Sequence, residues 1–203
     1  MPLQNRVDPF GGIHAVPERG LFMGNRGGRI HDPQTRTLTG RSHASRRWIC
    51  CVLSFKGRRR AVMGRSYTEL FFMDEVVALA AGHRPCFECR RAEAKAFAAA
   101  WGAAEGVPPP DADAMDLRLH KERRPQAGWP RLSAADLPDG AVYAEGDATF
   151  AVKGDACLRF GFAGWRPAGP RPERRVAVIT PPSILGALRN GYVPHWHPSA
   201  SRT

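Results

Sequence analysis

The sequence predicts an α+β fold, and three observations carry that expectation. Runs rich in β-branched and aromatic residues at 47–56 and 67–72 read as two strands joined in a hairpin. Apolar, alanine-rich stretches with helix start and stop signals follow at 75–81 and 90–101. From 141 onward, apolar segments broken by Gly-Asp turns have the texture of a small antiparallel meander, closed by one more strand and a helix. A hairpin-and-helix module packed with such a meander belongs to the α+β class.

Each element has a local reason. Residues 1–45 are rich in Gly, Pro, Arg and Asn without sustained periodicity, and are expected to form loops with short strands. Within them MGNRGGRIHD, at 23–32, sets Arg26 and Arg29 among glycines but fits neither the phosphate-loop nor the dinucleotide spacing. RWICCVLSFK, at 47–56, is a buried-strand pattern, KGRRR turns the chain, and YTELFF, at 67–72, returns it. Asp74 is placed to cap EVVALAA, Gly82 to end it, and Pro85 to keep it from resuming. RRAEAKAFAAAW, at 90–101, sets Phe97 and Trp101 one turn apart on a face that packs inward. GVPPPDAD, at 106–113, reads as a linker, and MDLRLHKERRP, at 115–125, as a short basic helix or loop. VAVIT, at 176–180, reads as a strand; Thr180 then caps and Pro181 begins a helix over SILGALRN that Gly191 ends. The expected segments are 1–45, a module at 46–105, a Pro/Arg-rich linker at 106–130 and a meander-plus-helix unit at 131–203, packed together as one unit.

Composition bounds the function. With 203 residues, 43% hydrophobic and 24% charged, the chain has enough apolar content for one substantial core and lies far from the signature of disorder. The net charge is +11, and only Lys56, Lys95, Lys121 and Lys153 are lysines among 30 basic residues. Arginine matches phosphate bidentately, so this excess points to a polyanionic partner, nucleic acid first; a GC-rich coding sequence is the competing source of the same bias. No apolar run reaches the roughly 20 residues of a membrane span, and the N-terminus has no apolar signal core. A cytoplasmic protein without membrane contact is expected. In a reducing compartment, its five cysteines are better suited to metal binding or redox chemistry than to structural disulfides.

The chemistry concentrates at AGHRPCFECRR, residues 81–91. A C-x-x-C turn brings two thiolates within reach of one tetrahedral ion, and a following helix N-terminus favours their charge. Cys86 and Cys89 are thus half of a zinc site. The redox alternative needs a thioredoxin-type βαβ setting, whereas a helix, a Gly and a Pro precede this pair. The other half is expected from Cys50, Cys51 or both. Neighbouring strand residues face opposite ways, so both can bind one ion only across a bulge. Ile49, Leu53 and Phe55 share the parity of Cys51 and look core-facing, while Cys50 goes with Trp48 and Val52; the pattern alone does not choose. A fourth ligand is open among His43, His83, His120, His195, His197 and water. Cys157 reads as a small buried hydrophobe.

The stretch YTELFFMDEVVALAAGHRPCFECRR, at 67–91, resembles the second half of the zinc-binding N-terminal domain of the bacterial Ada alkylation-repair protein, and the likeness extends over about residues 48–91. The resemblance implies zinc on Cys86 and Cys89 and a basic surface facing DNA. In that family two further cysteines, spaced Cys-x-x-x-Cys on a loop, complete the site, and one accepts a methyl group from a DNA phosphotriester. Here Cys50 and Cys51 are adjacent and read as strand residues; zinc binding tolerates this difference, whereas a methyl acceptor must be reachable by a phosphate, which a core-facing strand cysteine is not. The whole chain also resembles a group of similarly sized bacterial proteins, from which no function carries over.

Around the expected site Arg46, Arg47, Arg58, Arg59, Arg60, Arg90 and Arg91 form converging runs suited to phosphate contacts. Trp48 and Phe87 lie among them as aromatic rings of the kind that stack on bases, core packing being the simpler role for Trp48. His120 with Glu122 and Arg123, His195 with His197, and His31 with Asp32 are the catalytic candidates a metal-dependent hydrolase or nuclease would use. Three functions follow in order: a zinc-containing nucleic-acid-binding protein linked to DNA repair or processing, a metal-dependent hydrolase or nuclease acting on nucleic acid or a phosphate compound, and a cysteine methyl acceptor.

Overall fold

The computed structural model describes residues 1–59, 61–123 and 128–201; Arg60, residues 124–127 at the end of the basic segment, and residues 202–203 lie outside the described residues. It is an α+β fold of two six-stranded sheets and four α-helices among the described residues. The first sheet comprises β1 (Arg6–Val7), β2 (Ile13–His14), β3 (Phe22–Arg26), β4 (Trp48–Val52), β5 (Leu70–Phe72) and β6 (Arg84–Pro85), in the order β2-β1-β5-β3-β4-β6. The second comprises β7 (Arg131–Ser133), β8 (Val142–Glu145), β9 (Ala148–Lys153), β10 (Ala156–Arg159), β11 (Arg166–Pro170) and β12 (Arg175–Val178). Strands β8 to β11 form the expected antiparallel meander, and β12 joins it on β8.

One expected pairing is replaced. Segments 47–56 and 67–72 do not meet as a hairpin: β3, from the glycine-rich N-terminal stretch, lies between β4 and β5 and pairs antiparallel with both. Gly24 makes this possible, because a Cβ there would lie 2.0 Å from the Ile49 carbonyl oxygen and 2.9 Å from the Phe72 ring.

Helix α1 (Glu75–Ala80) is buried along its whole length. Ala78 packs on the first sheet, Val76 and Val77 on the second, and Leu79 on a cluster formed with α2 (Arg91–Glu105), α3 (Ala112–Glu122) and α4 (Pro182–Arg189). A helix apolar all round is a core helix, and each buried Val or Leu contributes roughly 1.5–3 kcal/mol. Asp74 caps it as expected, accepting from Val77 N at 3.0 Å, and Gly82 leaves it with φ +80°. Phe97 and Trp101 of α2 face that cluster edge to face, 5.9 Å apart. Helix α3 begins at the end of the GVPPPDAD stretch and runs through the segment read as a short basic helix or loop, inside the 106–130 linker region, and its Met115 and Leu119 are fully buried in the same cluster.

The start of α4 shifts by one residue from expectation. Pro181 is the cap, and the Thr180 hydroxyl oxygen instead accepts from Val142 N at 2.8 Å within the second sheet. The uncapped N-terminus is met from α3: Glu122 accepts from Ser183 N at 3.0 Å and from the Ser183 hydroxyl at 2.7 Å.

Candidate metal centre

Strand alternation separates the adjacent cysteines. Strand β4 pairs with β3 in unbroken register, Met23 opposite Cys51 and Gly24 opposite Cys50, so the two side chains take opposite faces. Cys50 is fully buried with Phe22, Leu70 and Phe72, and Arg90 Nη1 donates to its sulfur at 3.5 Å. Cys51 faces outward. The parity that looked core-facing is therefore the outer one: Leu53 is 52% exposed, while Ile49, Cys51 and Phe55 are half-buried in the wall of a cleft.

The C-x-x-C turn arrives beside Cys51 through β6. Its parallel pairing sets Pro85 opposite Cys50, and Cys86 N donates to Cys50 O at 3.0 Å. Arg90 N then donates to Cys86 O at 3.0 Å, closing a turn that brings Cys89 back at the entrance of α2. The sulfurs of Cys51, Cys86 and Cys89 lie within 4.8 Å of one another. Sulfurs bound at about 2.3 Å in a tetrahedral site stand about 3.8 Å apart, so this donor set fits a thiophilic ion such as zinc with little movement. A third sulfur also distinguishes the site from a simple dithiol.

The electrostatics are those of thiols sharing one negative charge. Hydrogen bonds donated by Cys51 and Cys89, with help from the N–H groups of Cys89 and Glu88, hold the Cys86 thiol down to about 2. Donating to Cys86 and Cys89 raises the Cys51 thiol correspondingly. Glu88 N lies 3.4 Å from the Cys86 sulfur. No histidine, aspartate or glutamate among the described residues joins the three sulfurs within the same distance. The cysteines instead line a cleft of about 970 Å³ that also receives Arg6, Arg19, Arg58, Arg59 and Glu69.

The remaining candidate residues are dispersed. Arg90, expected on a phosphate-binding surface, is 1% exposed: it pairs with Glu75 at 2.8 Å and lies over the Phe22 ring at 4.6 Å. Glu75 also accepts from Tyr192 Oη at 2.6 Å and His195 N at 2.9 Å, tying the turn to α1 and the C-terminal segment. Exposed Arg58 pairs with Glu88 at 2.7 Å beside the cleft. Arg46, Arg47, His43 and His120 share a separate shallow pocket, with Arg47 on Asp113 at 3.1 Å and the two histidine rings edge to face at 5.3 Å. Arg91 is exposed at the start of α2, and Arg60 lies outside the described residues.

His195 is exposed, and His197 bonds Ser199 through its ring and Asp74 through its backbone N–H. His83 is enclosed between Trp48 and Phe72, where burial and then Arg26 and Arg123 push its pKa well below the usual value. Trp48 is a core residue, with the guanidinium groups of Arg26 and Arg123 at 4.0 and 4.4 Å from its ring. His31 bonds Thr68 and Gly64 O, and Cys157 is buried in the second sheet's core.

Glu69, Glu75, Arg84 and Asp116 were not singled out from the sequence. The legible signal for Glu69 was its parity with Tyr67 and Phe71, opposite to the apolar Leu70 and Phe72. Comparison with protein-family models, curated proteins and solved structures found no match.

Proposed function

We propose that the protein is a zinc-dependent enzyme that binds an anionic substrate in this cleft and uses water as its nucleophile, a metal-dependent hydrolase or nuclease by class. The observation that carries this reading is a three-cysteine donor set opening on a cleft, with no fourth Cys, His, Asp or Glu ligand atom within 4.8 Å of the three sulfurs among the described residues. Structural zinc sites are closed by four protein ligands, whereas catalytic ones keep a position for water or substrate. Zinc at such a site supplies Lewis acidity and lowers the pKa of water. The chain supplies the rest: Cys51, Cys86 and Cys89 hold the ion, Arg90 with Glu75 holds the turn, and Arg6, Arg19, Arg58 and Arg59 attract the anion.

Nucleic acid is one source of that anion, but the basic excess supports it less than its size suggests, because Arg26, Arg84, Arg90 and Arg123 are buried in the protein's own packing. Metal analysis of purified protein is expected to find about one zinc per chain, lost in Cys86→Ser, with turnover of phosphate esters that follows zinc content. A folded, metal-free protein sinks the proposal. Salt dependence of binding to a random duplex measures the nucleic-acid component.

A second reading is favoured by one observation: Cys51 opens on the cleft rather than the core. Thiolate attack on a methyl phosphotriester would form an S–C bond at Cys51 and break the C–O bond, the phosphodiester leaving with the electron pair. One methyl mass on Cys51 after exposure to methylated DNA supports this reading, and an unchanged mass removes it.

A further inference from the structure

Glu69 immediately precedes β5 and is 4% exposed. Its Oε2 accepts from Met63 N at 2.8 Å, and its Oε1 is buried without a hydrogen-bond partner among the described residues. A buried acceptor left unmet forfeits the hydrogen bonds it made to water. Glu69 lines the same cleft as the three cysteines, so a ligand there can bring the missing donor.

The sheet register scales that ligand. Gly24 lies opposite Leu70, so Asn25 falls beside Glu69, whereas Cys51 lies opposite Met23. Two strand spacings across and two residues along put the backbone of Glu69 about 12 Å from that of Cys51. That span suits one nucleotide, base edge to phosphate. The wall also contains Phe55, Tyr67 and Phe71, with the Arg6 guanidinium 4.8 Å from the Phe71 ring centroid.

We propose that the cleft takes a nucleotide unit whose base carries an exocyclic amino group, donated to Glu69 Oε1, with the phosphate directed toward Arg58, Arg59 and the cysteine site. The proposal rests on reading the cleft as the active site and specifies its substrate. A carboxylate accepts from the amino group of cytosine, adenine or guanine and repels the carbonyl that uracil presents instead. Aromatic and guanidinium planes receive base faces, and arginine forks receive phosphate. A free nucleotide and an unpaired nucleotide within a strand share this chemistry.

The test is calorimetric titration of zinc-loaded protein with cytidine, adenosine, guanosine and uridine monophosphates and a short single-stranded oligocytidine. At least one amino-bearing monophosphate is expected to bind ten-fold or more tightly than uridine monophosphate. Glu69→Gln keeps an acceptor for Met63 N and turns an N–H into the cleft, so the preference is expected to shift toward uridine. Tighter binding of the oligonucleotide than of the cytidine nucleotide assigns the unit to nucleic acid; equal or weaker binding assigns it to a free nucleotide. Zinc-loaded wild type without base discrimination overturns the proposal, as does a folded Glu69→Gln protein of unchanged preference. The wild-type comparison decides even if that variant does not fold. Discrimination retained in a protein found to bind no zinc removes the metal reading alone.

Discussion

Two neighbouring cysteines are expected to behave oppositely, because β4 sends one to the cleft and the other to the core. Zinc supplied at 1,000 times its dissociation constant stabilises a protein that binds it only when folded by about 4.1 kcal/mol. In a chain of this size 1 kcal/mol corresponds to about 2–4 °C in Tm, so chelation is expected to lower the wild-type Tm by about 8–16 °C. Cys51→Ser removes one of three donors at a half-buried position. It is expected to lose zinc and the chelator response while keeping the stability of the zinc-free protein. Cys50→Ala is expected to keep about one zinc and the full chelator response. It removes a fully buried sulfur packed on Phe22, Leu70 and Phe72, a loss of about 1 kcal/mol or 2–4 °C at every zinc concentration. Elemental analysis and thermal unfolding, each with and without chelator, measure both. Loss of zinc in Cys50→Ala, or a wild-type chelator shift in Cys51→Ser, refutes the assignment.

Three further outcomes follow from the packing. Asp116→Ala leaves Arg84, 4% exposed and bonded to that carboxylate at 2.9 and 2.7 Å, as an uncompensated buried charge; denaturant unfolding is expected to register a loss of about 3–5 kcal/mol, and a loss under 1 kcal/mol contradicts the burial. Gly24→Ala is expected to abolish folding by circular dichroism because its Cβ meets the Ile49 carbonyl, whereas Gly146→Ala, with φ +57° and open space, costs about 1 kcal/mol. Burial raises the Asp74 carboxyl to about 6 despite hydrogen bonds from Trp165, Val77 and His197. The folded state therefore holds this proton more tightly than the unfolded chain, and the associated stability is full below about pH 4 and lost as pH rises through 6. Carbon-detected titration of that carboxyl should find the raised midpoint; a midpoint at 4 or below rules out desolvation as the dominant effect.

Local sequence determined what local chemistry can encode. Asp74 and Gly82 bound α1 because capping and left-handed exit are properties of single residues, and the C-x-x-C turn at Cys86 and Cys89 could be read as half a metal site from its spacing. The meander and α2 were legible for the same reason, since Gly-Asp turns and helical periodicity act over a few residues. Only the tertiary structure decided the partners. Packing of one face of β4 with Phe22, Leu70, Phe72 and Ala78 put Cys50 inside and left Cys51 on the outer face, and both faces of β4 carry apolar residues, so hydrophobicity could not indicate the direction. The same packing drew Arg26, Arg84, Arg90 and Arg123 inside, where they meet aromatic rings, carbonyl oxygens and carboxylates, while Arg90 Nη2 and Arg123 Nη2 are left without a hydrogen-bond partner among the described residues. Arginine in a sequence reports charge, but whether that charge meets a phosphate or a buried Glu75 depends on contacts dozens of residues away along the chain.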